Sequence, residues 1–212
     1  MTALWVIIGI VVLLLLIFGG TYNRLVALRN RIDNSWSQIG VQLKRRYDLI
    51  PNLVNTVKGF AEQEKDVLLG VTQARANVGS IKATPELIND PAAFQKFIAA
   101  QNQLQGALSR LLVVAENYPQ LKSDALFRDL QSQLEGTENR IAVARNRYIK
   151  TVQDYNTTVR QFPTNLTAML FKMDVKPNFS VADEAAVSTP PKVDFGKQPG
   201  APATPPPAPA KS

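Results

Sequence analysis

The stretch "YNRLVALRNRIDNSWSQIGVQLKRRYDLIPNLV", Tyr22 to Val54, decides the fold. Its apolar residues Leu25, Leu28, Ile32, Trp36, Ile39, Leu43, Tyr47, Ile50 and Val54 recur at spacings of three and four, and the rhythm continues through Val57, Ala61, Leu68 and Val71. That is the period of one helix face, with no period-two alternation to suggest a strand. The spacing predicts one long amphipathic helix. Pro51 lacks an N–H for the carbonyl of Tyr47, and its ring crowds the same group, so the helix is expected to bend at Pro51. Asp48 stands where it would cap a restarted helix. Lys44, Arg45 and Arg46 read as a solvated or salt-bridged face. They lie too far past the preceding apolar run, roughly 36 Å along a straight helix, to feel a screened membrane surface.

That run, "ALWVIIGIVVLLLLIFGG" from Ala3 to Gly20, carries no charge. At 1.5 Å per residue it spans about 27 Å, close to a bilayer's hydrocarbon core. Trp5 and Tyr22 sit where interfacial aromatics are expected. No cation precedes the run and no small-residue cleavage site follows it, so a retained transmembrane helix is favoured over a signal peptide. Arg24, Arg29 and Arg31 flank only its C-terminal side. By the positive-inside rule they place the N-terminus outside and the body in the cytoplasm, and they are the best placed to meet headgroups.

Further along, "NDPAAFQKF" announces a second helix, with Asp90 as cap and Pro91 in the first turn. Its stripe is Phe94, Ile98, Leu104, Leu108, Leu111, Leu112 and Ala115. A third helix is expected from an N-cap at Ser123, with the stripe Phe127, Leu130, Leu134, Thr137, Ile141, Ala144, Tyr148, Val152, Tyr155, Val159 and Phe162. Pro163 stops it, and "TNLTAMLFKM" reads as a short closing helix capped by Thr164 or Asn165. Helices with single apolar faces must bury them together. The expected fold is therefore all-α: one transmembrane helix (1–21), an antiparallel bundle of long helices (22–174) and a disordered proline-rich tail (175–212).

Composition removes whole classes of chemistry. The 212 residues include no cysteine and no histidine, which excludes disulfides, zinc fingers, iron–sulfur clusters and histidine-based nucleophile systems. Glu135 and Glu138 share a helix face, but with Arg140, Arg145 and Arg147 alongside they read as ion-pair partners rather than as metal ligands or an acid/base pair. The pI near 9.7 raises nucleic acid as a partner. Yet the 20 Lys/Arg and 14 Asp/Glu between Thr21 and Asp174 are spread over all the helices, and no nucleic-acid motif accompanies them. Neither cofactor, metal nor small-molecule substrate is indicated.

The tail holds nine of the fourteen prolines and suits an extended, partly polyproline-II segment. Within it "PPKVDFG", Pro190 to Gly196, forms an apolar island. Pro191, Lys192, Val193 and Phe195 are candidates for a short motif that docks on a partner or folds back on the bundle.

The block from "YNRLVALRNRIDNSWSQIG" to "VTQARA", together with "LLVVAENYPQLKSDALFRDLQSQLEGTENRIAVARNRYIKTVQDYNTTVRQFPTNLTAMLF", resembles the two halves of the LemA family. The resemblance implies a single-pass bacterial membrane protein with a helical bundle, some of whose relatives serve magnetosome-membrane biogenesis. It carries no catalytic residues over to this chain. Residues and resemblance lead to the same expectation: a non-enzymatic membrane-anchored scaffold or adaptor that meets a protein partner or itself. The alternative is a self-assembling protein that organises or remodels membrane.

Overall fold

The computed structural model describes residues 2–179, so the Pro191–Phe195 motif and nearly all of the tail lie outside the described residues. All the regular structure among them is helical. Helix α1, Thr2–Phe60, is a single element of 59 residues, roughly 90 Å long. It is followed by α2 (Lys65–Gly79), a 3-10 turn (Pro85–Asn89), α3 (Pro91–Ala115), α4 (Pro119–Ser123), α5 (Ala125–Arg160) and α6 (Thr164–Leu170).

Residues 3–20 of α1 are long and apolar enough to cross a membrane, and none of the span's window is buried within the molecule. From Leu25 onward the same helix joins the bundle. Helices α1 and α5 run antiparallel along most of their length, and α2 pairs with α3. The chain thus goes up, down, up and down, with the short α2 covering only the half farther from the span.

The core falls into two apolar clusters. Near the span, Leu25, Ile32, Trp36, Ile39 and Leu43 meet Phe94, Phe97, Ile141, Tyr148, Val152 and Tyr155. Farther out, Ile50, Leu53, Val57, Leu68 and Val71 meet Leu104, Leu108, Leu111, Phe127, Leu130 and Leu134.

Several local expectations are corrected. Helix α1 does not run on to Val71: it ends at Phe60, and Ala61–Glu64 reverse the chain into α2. The reversal is invisible to periodicity because Val57, Ala61, Leu68 and Val71 keep helical spacing through it while all remaining in one core. The N-cap of α5 is Asp124, whose carboxylate accepts from the Phe127 amide at 2.8 Å; Ser123 instead closes the one-turn helix α4. Neither Thr164 nor Asn165 caps α6 through its side chain, since Pro163 holds that position. Asp90 caps α3 as expected, accepting from the amides of Ala92 and Ala93.

Beyond α6 the chain turns at Lys172, whose φ of 51° lies in the left-handed region. The Met173 amide bonds to the Ala168 carbonyl and the Lys172 amide to that of Met169, which closes the helix in a Schellman arrangement. Residues 173–179 then run back along α5 as a strap. Asn156 pairs with both backbone groups of Lys176, donating at 2.9 Å and accepting at 2.8 Å. Tyr155 and Tyr148 donate to the carbonyls of Asp174 and Pro177, both at 3.1 Å. The bundle therefore holds the chain beyond residue 174, as far as Phe179.

Candidate functional site

Three places concentrate polar or aromatic chemistry: the exit of the span, the waist of the bundle and the Pro51 region.

At the exit Tyr22 is exposed, as is Trp5 at the opposite end of the apolar run. Tyr22 touches the Phe171 ring, with centroids 4.6 Å apart, which joins this end of the apolar run to the last helix of the fold. Arg24, Arg29 and Arg31 are exposed. Arg24 and Arg31 border a shallow depression completed by Asp154 and Gln153 of α5. Arg29 lies within electrostatic reach of the strap: burial, then Arg29, lower the pKa of Lys176, while Asp33 and Asp174 oppose them. Burial pushes the Tyr155 phenol up, with Arg29 acting against it.

The waist separates the two apolar clusters. Arg46 is only 1% exposed. Its Nη1 donates to both carboxylate oxygens of Glu138, at 2.9 and 3.2 Å, and its Nη2 donates to Gln101 Oε1. Thr137 is buried beside Glu138 in the chain. A second cation, Arg145, is half-buried nearby. Burial and then Arg46 lower its pKa while Glu138 opposes them, although only Arg46 is bonded to that carboxylate.

This layer was missed in the sequence, where Tyr47 stood in the stripe in place of Arg46. The signal was present. Ile39, Leu43, Arg46, Ile50, Leu53 and Val57 alternate steps of four and three, as do Phe94, Phe97, Gln101, Leu104, Leu108, Leu111 and Ala115. Arg46 and Gln101 fall on the core positions of these heptads, where polar residues fix register at some cost in stability. Of the expected cationic face, Lys44 does meet Asp48, at 3.0 Å, and Arg45 is exposed. Glu135 accepts from Gln131 on its own helix, whereas Glu138 reaches across the bundle.

Helix α1 passes through Pro51 without a break, and Asp48 is engaged by Lys44 rather than capping a restarted helix. The carbonyl of Tyr47, left without its N–H partner, accepts instead from Arg75 Nε of α2 at 3.2 Å. The Arg75 guanidinium also lies 3.8 Å over the Tyr47 ring. A Cβ at Gly79 would come within 2.9 Å of the Tyr47 hydroxyl, so the glycine permits this close approach. Proline thus frees a carbonyl that docks α2. Removing the arginine with Arg75→Ala should cost about 1–2 kcal/mol. With Pro51→Ala already present, the restored N–H should make the same change cheaper. A double-mutant cycle in denaturant reads the coupling, and a coupling of zero would remove this account of the proline.

Near the span, Trp36 centres an aromatic cluster. Its ring centroid lies 5.4 to 5.8 Å from those of Phe94, Phe97 and Tyr148, and 6.5 Å from that of Phe179 at the end of the strap. Its Nε1 donates to the Thr84 carbonyl at 3.1 Å and anchors the loop between α2 and α3. Burial pushes the Tyr148 phenol far up, with Asp33 adding to the effect. The role of Phe179 was not read from the sequence, because "KPNFS" offers no periodicity. None of these places gathers an exposed nucleophile, base and substrate cavity in one spot; the arrangement is that of a packed, register-specific bundle on a membrane-length helix.

Comparison with known proteins agrees with this architecture. The LemA family model matches residues 35–195. Magnetosome protein MamQ of Magnetospirillum gryphiswaldense is 25% identical over 165 residues, covering 70% of this chain and 61% of MamQ. Magnetosome protein MamQ 2 of Paramagnetospirillum magneticum matches to the same extent, 25% over 165 residues with the same coverage. Protein LemA of Metamycoplasma hominis is 24% identical over 162 residues, 75% of this chain and 68% of that protein. The match thus takes in less than two thirds of the MamQ proteins' own length. The family match extends over most of this chain and includes the α1, α3 and α5 residues that build the waist: the protein belongs to the LemA family.

Proposed function

We propose that the protein is a single-pass, non-enzymatic scaffold of the bacterial cytoplasmic membrane, with its N-terminus outside and its bundle and tail in the cytoplasm. One observation carries the reading: the apolar span and the central helix of the bundle are the same element, Thr2–Phe60. A bundle mounted this way is held at a set height and orientation, as suits presenting a surface. Arg24, Arg29 and Arg31, all exposed just past the span, support the orientation. The names of the relatives, a magnetosome protein and LemA, specify no reaction.

The partner-facing element is the tail motif. The family match runs to residue 195, so it takes in Pro191, Lys192, Val193 and Phe195. The strap brings the chain along α5 to Phe179, beside Arg145 near the waist, from where the tail departs. Deleting residues 190–195 from the full-length chain should abolish co-purification of a protein partner while leaving far-UV circular dichroism and membrane retention unchanged. An unchanged set of co-purifying proteins would end the adaptor role of the motif.

Self-assembly is a second reading, favoured by the exposed Val41 and Val143, which line one groove between α1 and α5 together with Arg140 and Arg147. It predicts large assemblies in mild detergent that survive loss of the tail. Monomeric particles would contradict it.

A further inference from the structure

Helix α6 is amphipathic in the wrong sense for water. Thr164, Thr167 and Ala168 face the protein, while Leu166, Met169 and Leu170 face out. Phe162, just before the helix, is 79% exposed, Met169 74% and Leu170 68%. Phe171 and Val175 continue the same patch. A helix that buries its hydroxyls and exposes its largest side chains is matched to apolar surroundings.

Its location supplies those surroundings. The Thr21 and Thr167 hydroxyls are 2.7 Å apart, and Thr21 is the first residue after the apolar span. Thr21 also bonds back to the carbonyls of Ile17 and Phe18, so this contact lies within the last turn of the span. Tyr22 stacks obliquely on Phe171 at the same level. Arg24, Arg160 and Lys172, all exposed, lie close in the chain to these contacts, as cations at a headgroup layer would.

We propose that α6, with Phe162 and Phe171, forms a foot that sinks into the lipid leaflet beside the span, with acyl chains covering its outer face. The inference rests on the reading of residues 3–20 as membrane-spanning. It gives the protein two apolar attachments to one leaflet, one crossing it and one lying in its surface. A bundle held at two points cannot swivel freely about its anchor, so the foot fixes which side of the bundle faces along the membrane.

The chain has no cysteine, so single sites can be labelled cleanly. Full-length protein carrying an environment-sensitive fluorophore at Leu13→Cys, Met169→Cys or Val113→Cys is reconstituted into phosphatidylcholine–phosphatidylglycerol vesicles containing a nitroxide on the upper acyl chain. Val113 is exposed on α3, well outside the patch. The expected result is loss of emission at both Leu13 and Met169, protection of both from aqueous iodide, and the converse at Val113. Quenching at Leu13 with Met169 open to iodide would overturn the foot while leaving the span intact. Protection of Met169 from iodide without quenching by the nitroxide lipid would also overturn it, and would point to a second copy as the covering surface. No quenching at Leu13 would overturn the span and the foot with it. Charge substitution by Met169→Glu together with Leu170→Glu should release a probe at Phe162→Cys from the lipid without altering far-UV circular dichroism. Continued quenching of that probe would likewise overturn the proposal.

Discussion

Replacing Glu138 with leucine is expected to destabilise the bundle by about 3–5 kcal/mol, because it strands a buried charge. Arg46 is 1% exposed, and Arg145 is close enough for the two positive charges to repel. For a chain of this size the loss corresponds to roughly 6–20 °C in the midpoint of thermal unfolding. The reverse change should be milder. Glu138 keeps 30% of its side chain exposed, so after Arg46→Leu its carboxylate can turn to solvent. What remains is the Gln101 amide, 2% exposed and without its partner, a cost of about 1–3 kcal/mol. Removing both partners with Arg46→Leu and Glu138→Leu should recover much of the loss and leave a bundle of ordinary stability but looser register. Thermal melts of the three variants in one detergent decide it. If Arg46→Leu is as damaging as Glu138→Leu, the waist does not derive its cost from a stranded cation.

Trp36→Ala is expected to cost a further about 3–5 kcal/mol by a different mechanism. The indole is 1% exposed and is ringed by aromatic neighbours from α3, α5 and the strap. Its loss leaves a void in the span-proximal cluster and orphans the Thr84 carbonyl it caps. The loop between α2 and α3 and the strap should therefore loosen together, so hydrogen exchange should rise in residues 80–89 and 173–179 before the rest of the bundle. Trp5→Ala, an exposed position in the span, should leave both segments unchanged. Fast exchange confined to one of the two segments would show that the indole does not join them.

The contrast between these two sites explains what the sequence discloses. Trp36 sits in an apolar stripe and its burial follows from periodicity alone. Arg46 sits in an equally good position, but a cation in a core needs a partner on another helix, and pairing between helices is not written in local spacing. Periodicity therefore draws the first stripe through Tyr47, one residue away, and leaves Arg46 on a solvated or salt-bridged face; the salt bridge is there, to Glu138, but it is buried. The turn at Ala61–Glu64 was hidden for a related reason, since its flanking apolar residues stay in helical phase through the reversal. Capping was legible where a single residue type dominates, as at Asp90, and ambiguous where Ser123 and Asp124 stand together. The strap to Phe179 is not legible, because its backbone is held by the hydroxyls of Tyr148 and Tyr155, which periodicity places in the third stripe, and by Asn156, which has no place in it. The membrane-length run and the all-helical body followed directly from composition and period.

The measurement that tests the account most directly is sidedness. Single cysteines at Ser80, exposed at the end of α2, and at Ser188 in the tail are probed in intact cells with a membrane-impermeant maleimide, after permeabilising the outer membrane where there is one. A bundle and tail held in the cytoplasm by the α1 span predict no labelling at either site until the cells are lysed. Labelling of Ser80→Cys and Ser188→Cys before lysis would contradict that arrangement and place the bundle and tail on the outer face of the membrane.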